Sequence, residues 1–225
     1  MHDENAIENP QTFHFDLSYW QGKPGYSKIE GGRGGSAKIE IDGQTILLRQ
    51  YYRGGLVAKL FTDEYLWLGR NKTRAVKEWL ILRQAREAGL PVPQALAVCV
   101  RRSGLIYRAA IMTEYFADTE TLAAHLSHSR LSNEAWGRLG KLLNQLHSLL
   151  FRHADLNANN ILIDSQLQFY LIDFDQAKIM RRIGDWQWSP LYRLQRSLDK
   201  IDRQKGLNFE PNNWQAMMDG YESIS

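Results

Sequence analysis

Residues 153–175 are His-Ala-Asp-Leu-Asn-Ala-Asn-Asn-Ile-Leu-Ile-Asp-Ser-Gln-Leu-Gln-Phe-Tyr-Leu-Ile-Asp-Phe-Asp. Two short apolar runs, 161–163 and 167–172, are separated by a polar connection, which predicts a tight antiparallel hairpin. Antiparallel pairing places the start of the first strand beside the end of the second. The stretch therefore predicts that Asn160 and Asp173 meet at the open end of the hairpin.

Oxygen-bearing side chains gather at this predicted open end. Asp155 lies on the loop just before the hairpin and joins Asn160 and Asp173 there. Carboxylate and amide oxygens suit a hard cation such as Mg²⁺, which keeps several waters and binds alongside substrate phosphates. The pattern favours a magnesium site that binds a substrate carrying phosphate groups.

The spacing of these polar residues resembles the protein-kinase catalytic core. Kinases carry H-R-D-x-x-x-x-N on the catalytic loop and D-F-G at the end of the metal-binding strand. Ala154 replaces the arginine of the first motif, and Asp175 replaces the glycine of the second. The matching residues are His153, Asp155, Asn160, Asp173 and Phe174.

Further stretches narrow the resemblance. They are 49–57 (Arg-Gln-Tyr-Tyr-Arg-Gly-Gly-Leu-Val), 89–93 (Gly-Leu-Pro-Val-Pro), 153–158 and 171–175. Together they resemble the Kdo kinases, small bacterial enzymes that phosphorylate 3-deoxy-D-manno-octulosonic acid (Kdo) on lipid A precursors. The resemblance extends from about Gly31 to the C-terminal helices.

The resemblance implies an α+β, two-lobed protein-kinase-like fold. Residues 1–116 would form a nucleotide-binding lobe with a small antiparallel sheet and one helix, and residues 117–225 a mostly helical catalytic lobe. Asp155 would be the catalytic base, and Asn160 and Asp173 would hold Mg²⁺. The implied reaction is ATP-dependent phosphorylation of the 4-hydroxyl of Kdo on Kdo-lipid IVA.

A glycine-rich segment precedes a second predicted hairpin. Alternating apolar residues predict strands at 37–42 and 45–52, joined by the turn signal Asp42-Gly43. The preceding Gly-Gly-Arg-Gly-Gly could be a plain flexible turn, but its place ahead of a kinase-like loop favours nucleotide binding. The glycines whose amides would approach phosphate are Gly32, Gly34 and Gly35.

The resemblance assigns the remaining nucleotide-binding residues. Arg49 would bind the α- and β-phosphates, and Lys59 is the competing candidate. Glu78, on a helix predicted at 73–88, would pair with that cation. The segment containing Glu114 and Phe116 would be the hinge that binds adenine.

Other local patterns complete the expected fold. Apolar alternation predicts a first strand at 13–17, and apolar runs predict a hairpin from 95–101 and 106–115. Ser132 is a predicted N-cap of a core helix. Histidine pairs such as His125 and His128 would suit zinc, but no cysteine or acidic set completes a site, so we expect structural histidines.

Composition limits the compartment and the partners. The chain has 225 residues, a net charge of +3 and a pI near 8.9, too weakly basic to indicate nucleic acid. The single Cys99 fits a reducing compartment, and neither a signal peptide nor a bilayer-spanning run is evident. No obligate protein partner is evident either.

A basic stripe near the C-terminus suggests a membrane partner. Its members, at helical spacing, are Arg193, Arg196, Lys200 and Arg203. They could form an ordinary solvated face balanced by Asp199 and Asp202, or they could bind anionic lipid headgroups of a membrane surface or the phosphates of a lipid A precursor. The second interpretation predicts a peripheral protein at the cytoplasmic face of the bacterial inner membrane.

Other functions stay open at this level. The acceptor could be another small molecule, such as a lipopolysaccharide heptose, an aminoglycoside or choline. A pseudokinase scaffold would not need Asp155, Asn160 and Asp173 together. A hydrolase using Asp155 and Asp173 as acid and base would leave the glycine segment, Arg49 and Glu78 unexplained.

Overall fold

The computed structural model describes the protein in two compact units. The described residues are 1–2, 10–29, 35–51, 65–206 and 208–223. The first unit comprises Met1–Arg83 and Pro93–Tyr115, and the second comprises Gln84–Val92 and Phe116–Ser225. None of the helices in the described ranges is long and apolar enough to cross a bilayer.

An antiparallel sheet forms the centre of the first unit. The strands are β1 (Ser27–Lys28), β2 (Ser36–Ile41), β3 (Gln44–Gln50), β4 (Tyr65–Leu66), β5 (Ala95–Ser103) and β6 (Ile106–Glu114). Their order in the sheet is β1-β2-β3-β6-β4, and β5 also pairs with β6.

Local sequence signals predict the position and the buried face of these strands. Asp42 and Gly43 have φ angles of 51° and 75°, the left-handed pair that a tight two-residue hairpin requires. On β2, Ala37 and Ile39 are buried. Alternate residues of a strand face opposite sides of a sheet, so the apolar spacing fixes which face meets the core. The predicted β2–β3 and β5–β6 hairpins are confirmed.

The strand predicted at 13–17 is wrong. A 3-10 helix, Thr12–Phe15, and a short helix α1, Leu17–Trp20, occupy this segment. Phe15 and Trp20 are buried in one cluster with residues of β2 and β3, and the Trp20 indole Nε1 donates to the His14 carbonyl at 2.8 Å. The burial of Phe15 and Trp20 against the sheet stabilises these short helices more than a five-residue apolar alternation favours a strand.

Helix α2, Arg74–Glu87, lies within the helix predicted at 73–88. The chain leaves the helix at Gly89, two residues after Glu87, where a φ of 80° suits glycine, and the Leu90 amide donates to the Ala85 carbonyl at 3.0 Å. Pro91 follows and blocks continuation.

The second unit is mostly helical. Its elements are β7 (Thr119–Thr121), α3 (Leu122–His128), α4 (Asn133–Ser148), β8 (Phe151–Arg152), β9 (Ile161–Asp164), β10 (Phe169–Leu171), β11 (Lys178–Ile179), α5 (Trp188–Lys205) and α6 (Pro211–Glu222). Among the described residues its strands form two small antiparallel sheets, with the orders β10-β9-β7 and β11-β8. The predicted α+β class, a sheet with one long helix followed by a mainly helical region, is confirmed.

Helices α4 and α6 pack backbone against backbone. A Cβ atom at Gly140 would overlap the Met217 carbonyl oxygen, and one at Gly220 would overlap the Gly137 carbonyl oxygen. The Asn144 side-chain amide also donates to the Tyr221 carbonyl at 2.7 Å. Glycine at these two positions therefore permits a close approach that another residue would prevent.

The predicted N-cap of α4 is confirmed. The Ser132 hydroxyl accepts a hydrogen bond from the Ala135 amide at 3.2 Å. This bond satisfies one of the amide groups that a helix leaves unpaired in its first turn.

Candidate active site

The β9–β10 hairpin brings Asn160 next to the end of the second strand. Ile161 pairs with Leu171, and the Ile172 amide donates to the Asn160 carbonyl at 3.0 Å. Asp173 follows directly, with a φ of 62°. Left-handed φ is uncommon for a residue other than glycine and is concentrated at functional positions.

His153 ties the 153–160 loop to this hairpin. Its side chain is 1% exposed, and its Nε2 donates to the Ile172 carbonyl at 2.9 Å. Its Nδ1 accepts from the Asp155 amide at 3.2 Å. Burial lowers the pKa of His153, while the Ile172 carbonyl and the charges of Asp173 and Asp155 oppose that shift. Both carboxylates therefore lie within electrostatic range of one imidazole.

The loop is shaped by amide side chains. The Asn160 Nδ2 donates to the Asp155 carbonyl at 2.8 Å, and the Asn157 Nδ2 donates to the same oxygen at 2.9 Å. The nitrogen of Asn160 is thus used within the loop, and its Oδ1 is the atom suited to a cation. The Ala158 amide donates to the Ser197 hydroxyl of α5 at 3.2 Å, which anchors the loop to that helix.

Asp155 faces α5. Its Oδ1 lies 3.1 Å from Nη1 of Arg193, and the two side chains are 54% and 49% exposed. An ion pair this exposed contributes about 0–1 kcal/mol. The Asp155 carboxylate is therefore more than half exposed, and its ion pair with Arg193 is weak.

The first unit holds a second ionic cluster. Arg49 on β3 forms an ion pair with Glu78 of α2, and the Tyr51 hydroxyl donates to the same carboxylate. Glu78 is 2% exposed. A buried carboxylate needs such partners because burial alone disfavours its charge.

The glycine segment is described only at its end. The Gly35 carbonyl accepts from the Gln50 amide at 2.7 Å, one residue from Arg49. Gly32, Gly34 and Lys59 lie outside the described residues. Their predicted roles stay predictions.

The two residues of the predicted hinge belong to different units. Glu114 ends β6, and its carboxylate accepts from the Gln94 amide at 3.0 Å within the first unit. Phe116 belongs to the second unit, where its ring centroid lies 4.5 Å from that of Tyr170. Adenine binding by this segment stays a prediction.

A histidine cluster differs from the sequence expectation. Glu120 accepts from Nδ1 of His125 at 2.9 Å and from Nε2 of His128 at 2.8 Å. The expectation that no acidic residue joins this pair is wrong, because strand β7 places Glu120 beside α3. Hydrogen bonds from the two histidines, that of His128 foremost, lower the pKa of Glu120.

A surface cavity of about 370 Å³ lies in the first unit. Its lining includes Phe15, Cys99, Arg101 and Arg108, and none of the predicted site residues. We assign it no role in the chemistry.

Comparison with known proteins identifies the family. A family model described as lipopolysaccharide kinase (Kdo/WaaP) matches residues 20–221. The chain belongs to this family. The resemblance inferred from the motifs is confirmed, and as a member of the lipopolysaccharide kinase family the protein is a phosphotransferase that uses ATP.

Relatives match along most of the chain. A protein of Vibrio vulnificus (strain YJ016) named 3-deoxy-D-manno-octulosonic acid kinase is 35% identical over 99% of this chain and 94% of its own length. A protein of the same name from Actinobacillus succinogenes is 37% identical over 95% and 91%. The solved structure of the Cydia pomonella granulovirus kinase PK-1 covers 71% of this chain and 55% of its own, with 14% identity and a TM-score of 0.48.

One contact in this lipopolysaccharide kinase is not predicted by the sequence. The sequence places Arg193 only in the basic stripe of α5, yet its guanidinium lies against Asp155. Helical spacing showed that Arg193, Arg196 and Lys200 share a face. It did not show that one end of this face meets the 153–160 loop, because that contact joins residues 38 apart in sequence.

We expect the stability of the protein to fall in mild acid because of His147. This residue is fully buried, and its Nδ1 is hydrogen-bonded to the Tyr221 hydroxyl at 2.8 Å. Burial, with the nearby His153, lowers the pKa of His147 from 6.5 to about 4. Between those values the unfolded chain binds a proton that the folded chain excludes, so the free energy of unfolding decreases as pH falls. The full loss from this group is about 3 kcal/mol.

Urea denaturation from pH 7 to pH 4 measures this effect. His147→Gln should show a shallower decrease, with the remaining slope including the contribution of buried His153. Equal slopes for the wild type and His147→Gln would contradict the assignment.

Proposed function

We propose that the protein transfers the γ-phosphoryl group of ATP to the 4-hydroxyl of Kdo on Kdo-lipid IVA. The proposal is supported chiefly by one observation. In a chain of the lipopolysaccharide kinase family, buried His153 ties the loop carrying Asp155 to the hairpin end that carries Asp173. Relatives at 35–37% identity are named for this acceptor.

Asp155 would act on the acceptor. Its exposed carboxylate would orient the sugar hydroxyl and accept its proton as the oxygen bonds to the γ-phosphorus. The bond from that phosphorus to the bridging oxygen breaks, and ADP leaves with the electron pair. Because phosphoryl transfer depends on positioning and on charge neutralisation, the fixed geometry of the loop is the main contribution of the protein here.

Asn160 and Asp173 would hold Mg²⁺. The donor set fits this ion, because it offers an amide oxygen and a carboxylate at adjacent positions of one hairpin end. When bound, the ion would neutralise phosphate charge during transfer. These residues would bind and orient it, while His153 keeps the loop in place.

Arg49 and Glu78 would serve the nucleotide. Glu78 fixes the direction of the Arg49 guanidinium, and the Arg49 side chain, about one quarter exposed, would bind phosphate oxygens. Gly32, Gly34 and Gly35 would add backbone amides, and the segment containing Glu114 and Phe116 would bind adenine.

Arg49→Ala should raise the KM for ATP by about tenfold to a hundredfold, the loss expected for a hydrogen bond to a charged group. Initial rates at varied ATP measure it. Arg101→Ala is the matched control, because Arg101 forms an exposed ion pair with Asp16 in the same unit. An unchanged KM in Arg49→Ala would refute the assignment and favour Lys59.

Mass spectrometry of Kdo-lipid IVA incubated with the protein, ATP and Mg²⁺ tests the function. We expect a gain of one phosphate, placed on the 4-hydroxyl by fragmentation. Parallel reactions with a heptose-containing core, an aminoglycoside and choline test the alternative acceptors. ATP consumption with no phosphorylated acceptor would instead support the hydrolase hypothesis.

We also propose peripheral binding to the cytoplasmic face of the inner membrane. Ile179, Ile183, Trp188 and Tyr192 are exposed apolar side chains, and the last two belong to α5 itself. Arg196, Lys200 and Arg203 are exposed on that helix, and each cation near an anionic surface contributes about 1 kcal/mol. Liposome flotation should show binding to anionic vesicles that salt reverses. Absence of binding at low salt would remove this proposal.

A further inference from the structure

The ion pair between Arg193 and Asp155 joins a cation to the proposed catalytic base. Within the described residues it is made through one nitrogen, Nη1, and one oxygen, Oδ1, 3.1 Å apart. A guanidinium has five N–H donors. The remaining donors of Arg193 are therefore available to a ligand bound at Asp155.

Helix α5 holds Arg193 in a fixed position beside the loop. Ser197 lies one helical turn further on, and its hydroxyl accepts from the Ala158 amide of the same loop. Leu191, Leu194 and Leu198 are buried and fix the other side of the helix. Arg193 thus belongs to a face of α5 that touches the catalytic loop at two points one turn apart.

The acceptor named for the relatives is an acid. An octulosonic acid carries a carboxylate close to its ring hydroxyls, and this group is ionised near neutral pH. Binding its hydroxyl at Asp155 brings two negative groups together, which is unfavourable unless a cation lies between them. Arg193 is the cation placed against Asp155.

The ion pair can exchange partners readily. Both side chains are about half exposed, and an exposed pair of this kind is weak. A ligand carboxylate can therefore take the open side of the guanidinium, where two parallel hydrogen bonds suit its planar fork.

We propose that Arg193 binds the carboxylate of the acceptor sugar acid while Asp155 binds the hydroxyl to be phosphorylated. This makes Arg193 a residue that selects acidic sugars over neutral ones. The inference rests on the proposed function, since it assigns the acceptor subsite of that reaction.

The test compares two acceptors and two proteins in non-ionic detergent. The acceptors are Kdo-lipid IVA and an analogue whose Kdo carboxylate is converted to a carboxamide, and the proteins are the wild type and Arg193→Gln. We expect the wild type to prefer the acid by at least about tenfold in kcat/KM, the size of one charge-assisted interaction. Arg193→Gln should lose most of that preference and leave the KM for ATP unchanged.

Further variants separate this role from a general structural effect. Arg193→Lys keeps a cation without the planar fork and should keep part of the preference. Arg138→Gln removes an arginine from another exposed ion pair, with Glu134 on α4, and should behave as the wild type.

Each outcome is decisive. If the wild type phosphorylates both acceptors equally well, the inference is wrong while the proposed function stands. If Arg193→Gln loses activity on both acceptors but keeps the preference, Arg193 only positions Asp155, and the inference is wrong. If the wild type phosphorylates neither acceptor but does phosphorylate another sugar, the proposed function itself fails.

Discussion

Asp155→Asn is expected to lower kcat by about 10²- to 10⁴-fold, the usual contribution of a positioned general base. Asparagine keeps the shape of the side chain but cannot accept the hydroxyl proton. The Asp155 carboxylate is more than half exposed, and its ion pair with Arg193 is weak, so the free energy of unfolding should change by less than about 1 kcal/mol.

Rates at saturating ATP and acceptor, with urea denaturation of both proteins, separate chemistry from stability. Asp219→Asn is a matched control, because Asp219 is an exposed carboxylate on α6 that accepts from the Gln215 side chain at 2.8 Å. A wild-type kcat in Asp155→Asn would remove Asp155 from the reaction.

Gly140→Ala is expected to destabilise the second unit by about 3 kcal/mol or more, at the upper end of the range for overpacked cores. On an exposed helix the same change would stabilise by about 1 kcal/mol, because alanine is the better helix former. Here the added methyl group would overlap the Met217 carbonyl oxygen. Backbone atoms cannot move aside as a side-chain tip can, so we expect the steric effect to decide the sign.

Gly137→Ala is the internal control. Its Cβ would lie 3.7 Å from the Ala216 carbonyl oxygen, which is ordinary contact, so it should be neutral or slightly stabilising. Gly220→Ala tests the contact from the other helix. Because Gly140→Ala and Gly220→Ala separate the same two helices, the double variant should lose less than the sum of the single changes. Equal urea midpoints for Gly140→Ala and the wild type would contradict the close packing.

The sequence predicts elements whose signals are local. Asp42-Gly43 specifies a tight turn, Ser132 specifies a helix start, and the apolar runs of 161–172 specify a hairpin. Each signal acts within about ten residues, so tertiary packing has little scope to override it.

Contacts between segments that are distant in the sequence have no such local signal, so the sequence does not predict them. Phe15 and Trp20 become buried against strands more than fifteen residues away, which turns an apparent strand into short helices. The pairing of Arg193 with Asp155 joins α5 to the 153–160 loop across 38 residues of sequence. The sequence shows that Arg193 lies on one face of a helix with other basic residues. It does not show that Asp155 is the partner of Arg193, because that depends on the packing of the whole unit.

The contact between α4 and α6 bears on how the protein forms during synthesis. Asn144 and Tyr221 are joined across 77 residues, and the segment between them contains the whole 153–175 stretch. Helix α4 leads through β8 into His153, so the support of that stretch is completed only when α6 has left the ribosome. Nascent chains that stop before α6 should therefore lack a formed 153–175 stretch, where we propose the catalytic centre, however much of the first unit has already folded.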